Sequence, residues 1–233
     1  MMPIKHIQKH QQKLRQNNPD FYTPGGIHVF FKEALADTSV DMEKVIARVE
    51  NTLPGHLLAE VEMIILGWFD EFEERSINAF YKDGALYLSN LQSDENDTCE
   101  DIIHEIAHSL EAPYGYEIYG DQKLKDEFLR KRIHLHDILW ATGYHIPKNL
   151  FLNSEYDKDF DMTLYKKIGY DKLFTLTKGL FITPYAATSL REYFSTGFTD
   201  FYTQSDHGYL KKVSPELYQK IFLLQDPEAL DNS

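Results

Sequence analysis

The sequence predicts an α+β fold, with a small, twisted, mostly antiparallel sheet packed on helices. Three observations point there. Apolar runs of strand length fall between residues 60 and 89. Apolar residues at helical spacing precede them. A largely apolar segment at 97–111 opens with acidic residues, as a capped and buried helix does.

Taken in order, residues 1–25 read as a polar N-terminal arm ending in the turn-forming Thr23-Pro24-Gly25-Gly26. In 41–53, Met42, Val45, Ile46, Val49 and Leu53 share one helical face, and Pro54-Gly55 stops the helix. Residues 60–69 read as a strand, and the charged stretch 70–75 as exposed. Residues 77–81 and 85–89 flank Lys82-Asp83-Gly84, and Asp-Gly between apolar runs is a hairpin signal. Residues 90–97 form a polar loop. Asp97 is the expected N-cap of the next helix, with Glu100 in the capping-box position and the end set before Pro113 and Gly115.

Residues 116–182 hold a charged helix (121–141), a loop (143–161) and further short helices. Thr183-Pro184 opens a helix that reaches about residue 202, and Ser214-Pro215-Glu216 starts a last one with proline in first position. Residues 226–233 form an acidic tail. Without repeats or low-complexity linkers, 26–225 read as a single domain.

Hydrophobic residues make up 42% and charged residues 26%, the balance of a soluble globular chain. A net charge of −13 argues against nucleic acid and against acidic membranes as partners. Oligomeric state has no signature in the sequence. The single cysteine, Cys99, excludes an intramolecular disulfide and a Cys-based zinc site, and reads as a small helix residue. No apolar run reaches 18 residues, and residues 1–20 lack the apolar stretch of a signal peptide. The expected localisation is cytoplasmic, or at least without Sec-type export, with leaderless release as the other route.

The informative segment is Asp101-Ile102-Ile103-His104-Glu105-Ile106-Ala107-His108-Ser109-Leu110. It contains H-E-x-x-H. On a helix, positions i and i+4 share a face, so His104 and His108 can aim two imidazoles at one zinc ion. Glu105 can reach a water on that ion and act as general base. Asp101 and Glu111, each one turn from the motif, are candidate partners for a ligand imidazole, or plain helix-end charges. His134 and His136 are two apart and cannot share a helix face.

A catalytic zinc needs a third protein ligand. Two carboxylates compete. Glu127 lies nineteen residues after His108, the aminopeptidase spacing, but within a stretch dense in Lys and Arg that reads as an exposed face. Glu192 lies among aromatic and small residues, as a buried ligand would, and is favoured on that ground. Tyr185 precedes it by seven residues. On one continuous helix both would share a face, bringing a phenol near the metal to donate to an oxyanion.

His104-Glu105-Ile106-Ala107-His108, followed by Tyr185-x6-Glu192-Tyr193-Phe194-x2-Gly197-Phe198, resembles the anthrax lethal factor family of zincin peptidases, which includes the Pro-Pro endopeptidases. The resemblance covers roughly residues 60–202. It implies a zincin-like fold with one zinc held by His104, His108 and Glu192, with Glu105 as general base and Tyr185 as transition-state donor. It also implies that Ala85–Ser89 runs along the cleft and pairs with an extended peptide. The stretch 116–182 between the two motifs is longer than expected for that family and reads as an insertion. The expected activity is zinc-dependent endopeptidase, with a peptide or protein as substrate. The alternatives are an inactive zincin serving as a binding or assembly module, and an aminopeptidase using Glu127.

Overall fold

The computed structural model describes residues 20–36, 39–75, 77–92 and 94–227. Most of the expected N-terminal arm and the end of the acidic tail lie outside the described residues. The chain is α+β and divides into two compact units, residues 1–110 and 111–233.

The first unit contains β1 (Phe21–Tyr22), β2 (His28–Phe31), α1 (Met42–Thr52), β3 (Met63–Gly67), α2 (Asp70–Arg75), β4 (Ala79–Lys82), β5 (Ala85–Ser89) and α3 (Glu95–Ser109). The sheet runs β1-β2-β3-β5-β4. It is mixed rather than mostly antiparallel. The pairs β2–β3 and β3–β5 are parallel, and only the flanking pairs β1–β2 and β4–β5 are antiparallel. Parallel neighbours need a crossover, and α1 supplies the one between β2 and β3.

Side chains alternate along the strands. Val29, Ile64, Leu66, Leu86 and Leu88 are buried. The apolar stripes of α1 (Met42, Val45, Ile46, Val49) and α3 (Cys99, Ile102, Ile103, Ile106) are buried too, and α3 packs on α1, β4 and β5. Phe80 stacks on Tyr87 at 4.5 Å between ring centroids, and Phe69 and Phe72 meet them edge-on. The stretch 70–75 is therefore a short helix that buries Phe72, not a wholly exposed segment. The hairpin turns at Asp83-Gly84, where both residues take positive φ (50° and 80°), as a two-residue primed turn requires.

The α3 helix starts one turn earlier than expected. Asp94, not Asp97, is the N-cap, and its carboxylate accepts from the amides of Asn96 and Asp97. Asp94 has the extended backbone of a cap, whereas Asp97 falls inside the first turn, where its charge suits the helix dipole.

The second unit is helical: α4 (Glu111–Tyr119), α5 (Lys123–Ala141), α6 (Lys158–Thr163), α7 (Tyr170–Thr177), α8 (Leu190–Thr203), α9 (Gly208–Val213) and α10 (Pro215–Leu224). The α5 helix packs on α4, α7, α8 and α10. The helix expected to run from Pro184 to about residue 202 is in two pieces. A 3-10 turn, Tyr185–Ala187, is separated from α8 by Ser189, whose hydroxyl caps α8 by accepting from the Glu192 amide at 3.1 Å. Among the described residues no helix is long and apolar enough to cross a membrane.

Candidate metal centre

The α3 helix divides its residues by face. Its apolar stripe is buried, while Asp101, His104, Glu105 and His108 are only partly exposed on the other side. The ligand atoms of His104, Glu105 and His108 all lie within 4.8 Å of one another. The two imidazole centroids are 5.1 Å apart, at 74°. Two imidazoles this close, with a carboxylate beside them, are a donor set suited to zinc.

Glu105 also touches the sheet. Its Oε2 accepts from the Tyr81 amide at 2.9 Å. Tyr81 belongs to β4, at the end of the sheet, and no strand among the described residues pairs with its outer edge. This revises the expectation for Ala85–Ser89. That strand, β5, lies between β3 and β4 with both edges taken, so it has no free edge for a peptide. Of the two strands of the hairpin, β4 is the one with an open side among the described residues. The Tyr81 contact was not legible in the sequence, because a backbone amide carries no residue signature.

Asp101 lies one turn before Glu105. Burial pushes its carboxyl up to about 6; His104 opposes this, and Glu105, Asp97 and Glu100 add to it. A pocket of about 260 Å³ opens beside the same end of α3, lined by Asn78, Leu91, Gln92, Asp97, Glu100 and Asp101. Cys99 is fully buried, and burial raises its thiol pKa, so it is an inert packing residue.

The other two expected site residues, Tyr185 and Glu192, belong to the second unit. They are not on one helix face, since the chain breaks between them, yet they are neighbours. Burial raises the Tyr185 phenol well above its ordinary value, and the Glu192 carboxylate raises it further. Glu192 acts in the same sense on Asp161 and Tyr170, and Tyr156 donates to Asp161 Oδ2 at 3.0 Å. Part of the long stretch between the motifs thus adjoins Glu192. Arg132 fixes the break itself: fully buried, it donates to the carbonyls of Thr188 and Leu150 and lies over the Phe160 ring.

Two further carboxylates of the second unit have partners of their own. Glu127 is not on a solvated face but buried. Its oxygens accept from the Tyr193 hydroxyl (2.7 Å) and from the amides of Glu216 (2.9 Å) and Leu217 (3.3 Å). The dense charge around Glu127 does not mark a solvated face, because Lys131 and Arg132 are buried as well. Glu111 pairs with Arg191 (2.5 Å) and accepts from Tyr119 (3.2 Å), so the cation adjoining Glu192 in sequence has its own carboxylate. His134 is exposed, and His136 is buried with its Nδ1 3.0 Å from Asp137.

Comparison with protein-family models, with curated proteins and with solved structures finds no match.

Proposed function

We propose that the protein is a zinc-dependent metalloendopeptidase of zincin type. The observation that carries this reading is the close cluster of His104, Glu105 and His108 on one face of α3. In this reading His104, His108 and Glu192 hold the ion. Three further points support it: the resemblance of both motifs to the lethal factor family, the engagement of the rival Glu127 by Tyr193 and two backbone amides, and the pairing of Arg191 with Glu111.

Zinc, when bound, supplies a Lewis acid that makes water nucleophilic near neutral pH and polarises a carbonyl. Glu105 takes the proton of the attacking water and delivers it to the leaving amine. The Tyr81 amide orients the Glu105 carboxylate. The Tyr185 phenol donates to the scissile carbonyl oxygen as charge develops there. The substrate is an extended peptide, and the open side of β4 is the strand it would pair with.

The test is metal analysis of wild type, His108→Ala and Glu192→Ala, with digestion of a mixed peptide library. One zinc per chain, lost in both variants, and cleavage by the zinc-loaded wild type are expected. A folded wild type that refuses added zinc overturns the reading. Bound zinc with no cleavage leaves a zincin that serves as a binding module.

A further inference from the structure

Glu192 has a tethered neighbour on each side. Arg191 pairs with Glu111 at 2.5 Å, but its side chain is 56% exposed, and such a pair holds weakly. On the other side, Tyr193 is fully buried. Its hydroxyl donates to Glu127 Oε1 at 2.7 Å and accepts from Lys131 Nζ at 2.7 Å. Lys131 also donates to Ser214 at 2.6 Å, and Glu127 accepts the first amides of α10. One connected set of buried polar groups therefore joins α5, α8 and the start of α10.

Packing does not explain these groups. The Tyr193 ring already packs against Phe128 and Phe181, with centroids 5.4 and 5.9 Å away, and a phenylalanine would keep both contacts. Buried charge is costly, and apolar groups of the same volume hold helices together at least as well. What a satisfied polar network adds is a single allowed arrangement. A side chain reaches roughly 5–6 Å from a helix axis, so about 20° of axial rotation carries its tip roughly 2 Å. Metal–ligand distances hold to about 0.2 Å. A second contact acts in the same sense. A Cβ on Gly197 would stand 2.3 Å from Leu217 Cδ2, so α8 and α10 meet closely there.

We propose that Tyr193, with Glu127 and Lys131, is a positioning residue that fixes the rotation of α8 and thereby the presentation of the Glu192 carboxylate. This rests on the reading of Glu192 as a zinc ligand. The residue that competes with Glu192 for that role in the sequence becomes the anchor of the helix that carries it.

The experiment is zinc affinity of the 233-residue chain, measured by competition with a chelator. Tyr193→Phe and Glu127→Gln are compared with Phe181→Leu, which weakens the same core and removes a ring 5.7 Å from Lys131 Nζ but takes away none of the network's hydrogen bonds. The two network variants are expected to bind zinc about 10- to 100-fold more weakly with unchanged circular dichroism. Phe181→Leu is expected to melt earlier and bind zinc as wild type does. Wild-type affinity in Tyr193→Phe overturns the proposal, as does an equal weakening in Phe181→Leu. If Glu127→Gln does not fold, Tyr193→Phe decides alone. A wild type without zinc, or a Glu192→Ala variant that keeps it, removes the ligand reading itself, an outcome separate from unaltered affinity in Tyr193→Phe.

Discussion

The two units hold their candidate site residues by different means. In the first, His104, Glu105 and His108 ride on one helix whose apolar stripe is buried, and the periodicity of that helix brings them together. In the second, Glu192 sits on a helix whose Tyr193, Phe194, Phe198 and Phe201 are all buried, and a buried polar network clamps it. Residues that share a short motif need only a stable helix. A residue that stands alone in the sequence needs tertiary anchors, and here these are polar and titratable.

The largest effect that sharpens this contrast is chemical. Glu105→Gln is expected to lower turnover by about 10²- to 10⁴-fold while zinc stays bound. Full activity in a peptide-cleavage assay would remove Glu105 from the role of base. Tyr185→Phe follows, with a loss of about 10²- to 10³-fold in kcat and little change in metal content. A variant as active as wild type would show that the phenol does not serve the oxyanion.

The next effects fall on the second unit alone. Gly197→Ala forces a methyl into Leu217 and should cost about 1–3 kcal/mol, read as an earlier thermal transition. An unshifted transition would mean that Leu217 yields freely.

Lys131 supplies a pH signature. Burial lowers its ammonium to about 8, against an ordinary 10.5, with Glu127 opposing and Arg130 adding. Between those values the unfolded chain holds a proton that the folded one has released, so stability rises with pH. From pH 8 to 10 the gain is on the order of 2 kcal/mol, and it should vanish in Lys131→Met. Denaturant titrations of the two proteins at pH 7.5 and 9.5 (roughly 2 pH units apart) check it. Parallel pH profiles would show that Lys131 keeps its ordinary titration.

Much of the first unit was legible beforehand. The helix at Met42–Thr52, the strand at Met63–Gly67 and the Asp83-Gly84 hairpin all follow from local patterns, namely periodicity and turn chemistry. The short strands Phe21–Tyr22 and His28–Phe31 were missed, because so few residues show no period. The break before α8 was missed because a Ser cap and a helix interior differ only in backbone conformation, which the apolar pattern of 183–202 does not report.

By itself the sequence determined the α+β class, the helix of H-E-x-x-H and the face that His104 and His108 share, though not the cap of that helix, which is Asp94 rather than Asp97. Those are consequences of spacing along one element. Only tertiary structure decided that the sheet is mixed, that β4 rather than β5 has an open side, and that the Tyr81 amide meets Glu105. It likewise buried Glu127 beneath Tyr193 instead of leaving it on a charged surface. Strand order, and the partner that a buried carboxylate finds, depend on which distant segments fold against each other. Local composition does not encode that: the charges around Glu127 look the same in sequence whether water or Tyr193 and Lys131 surround them.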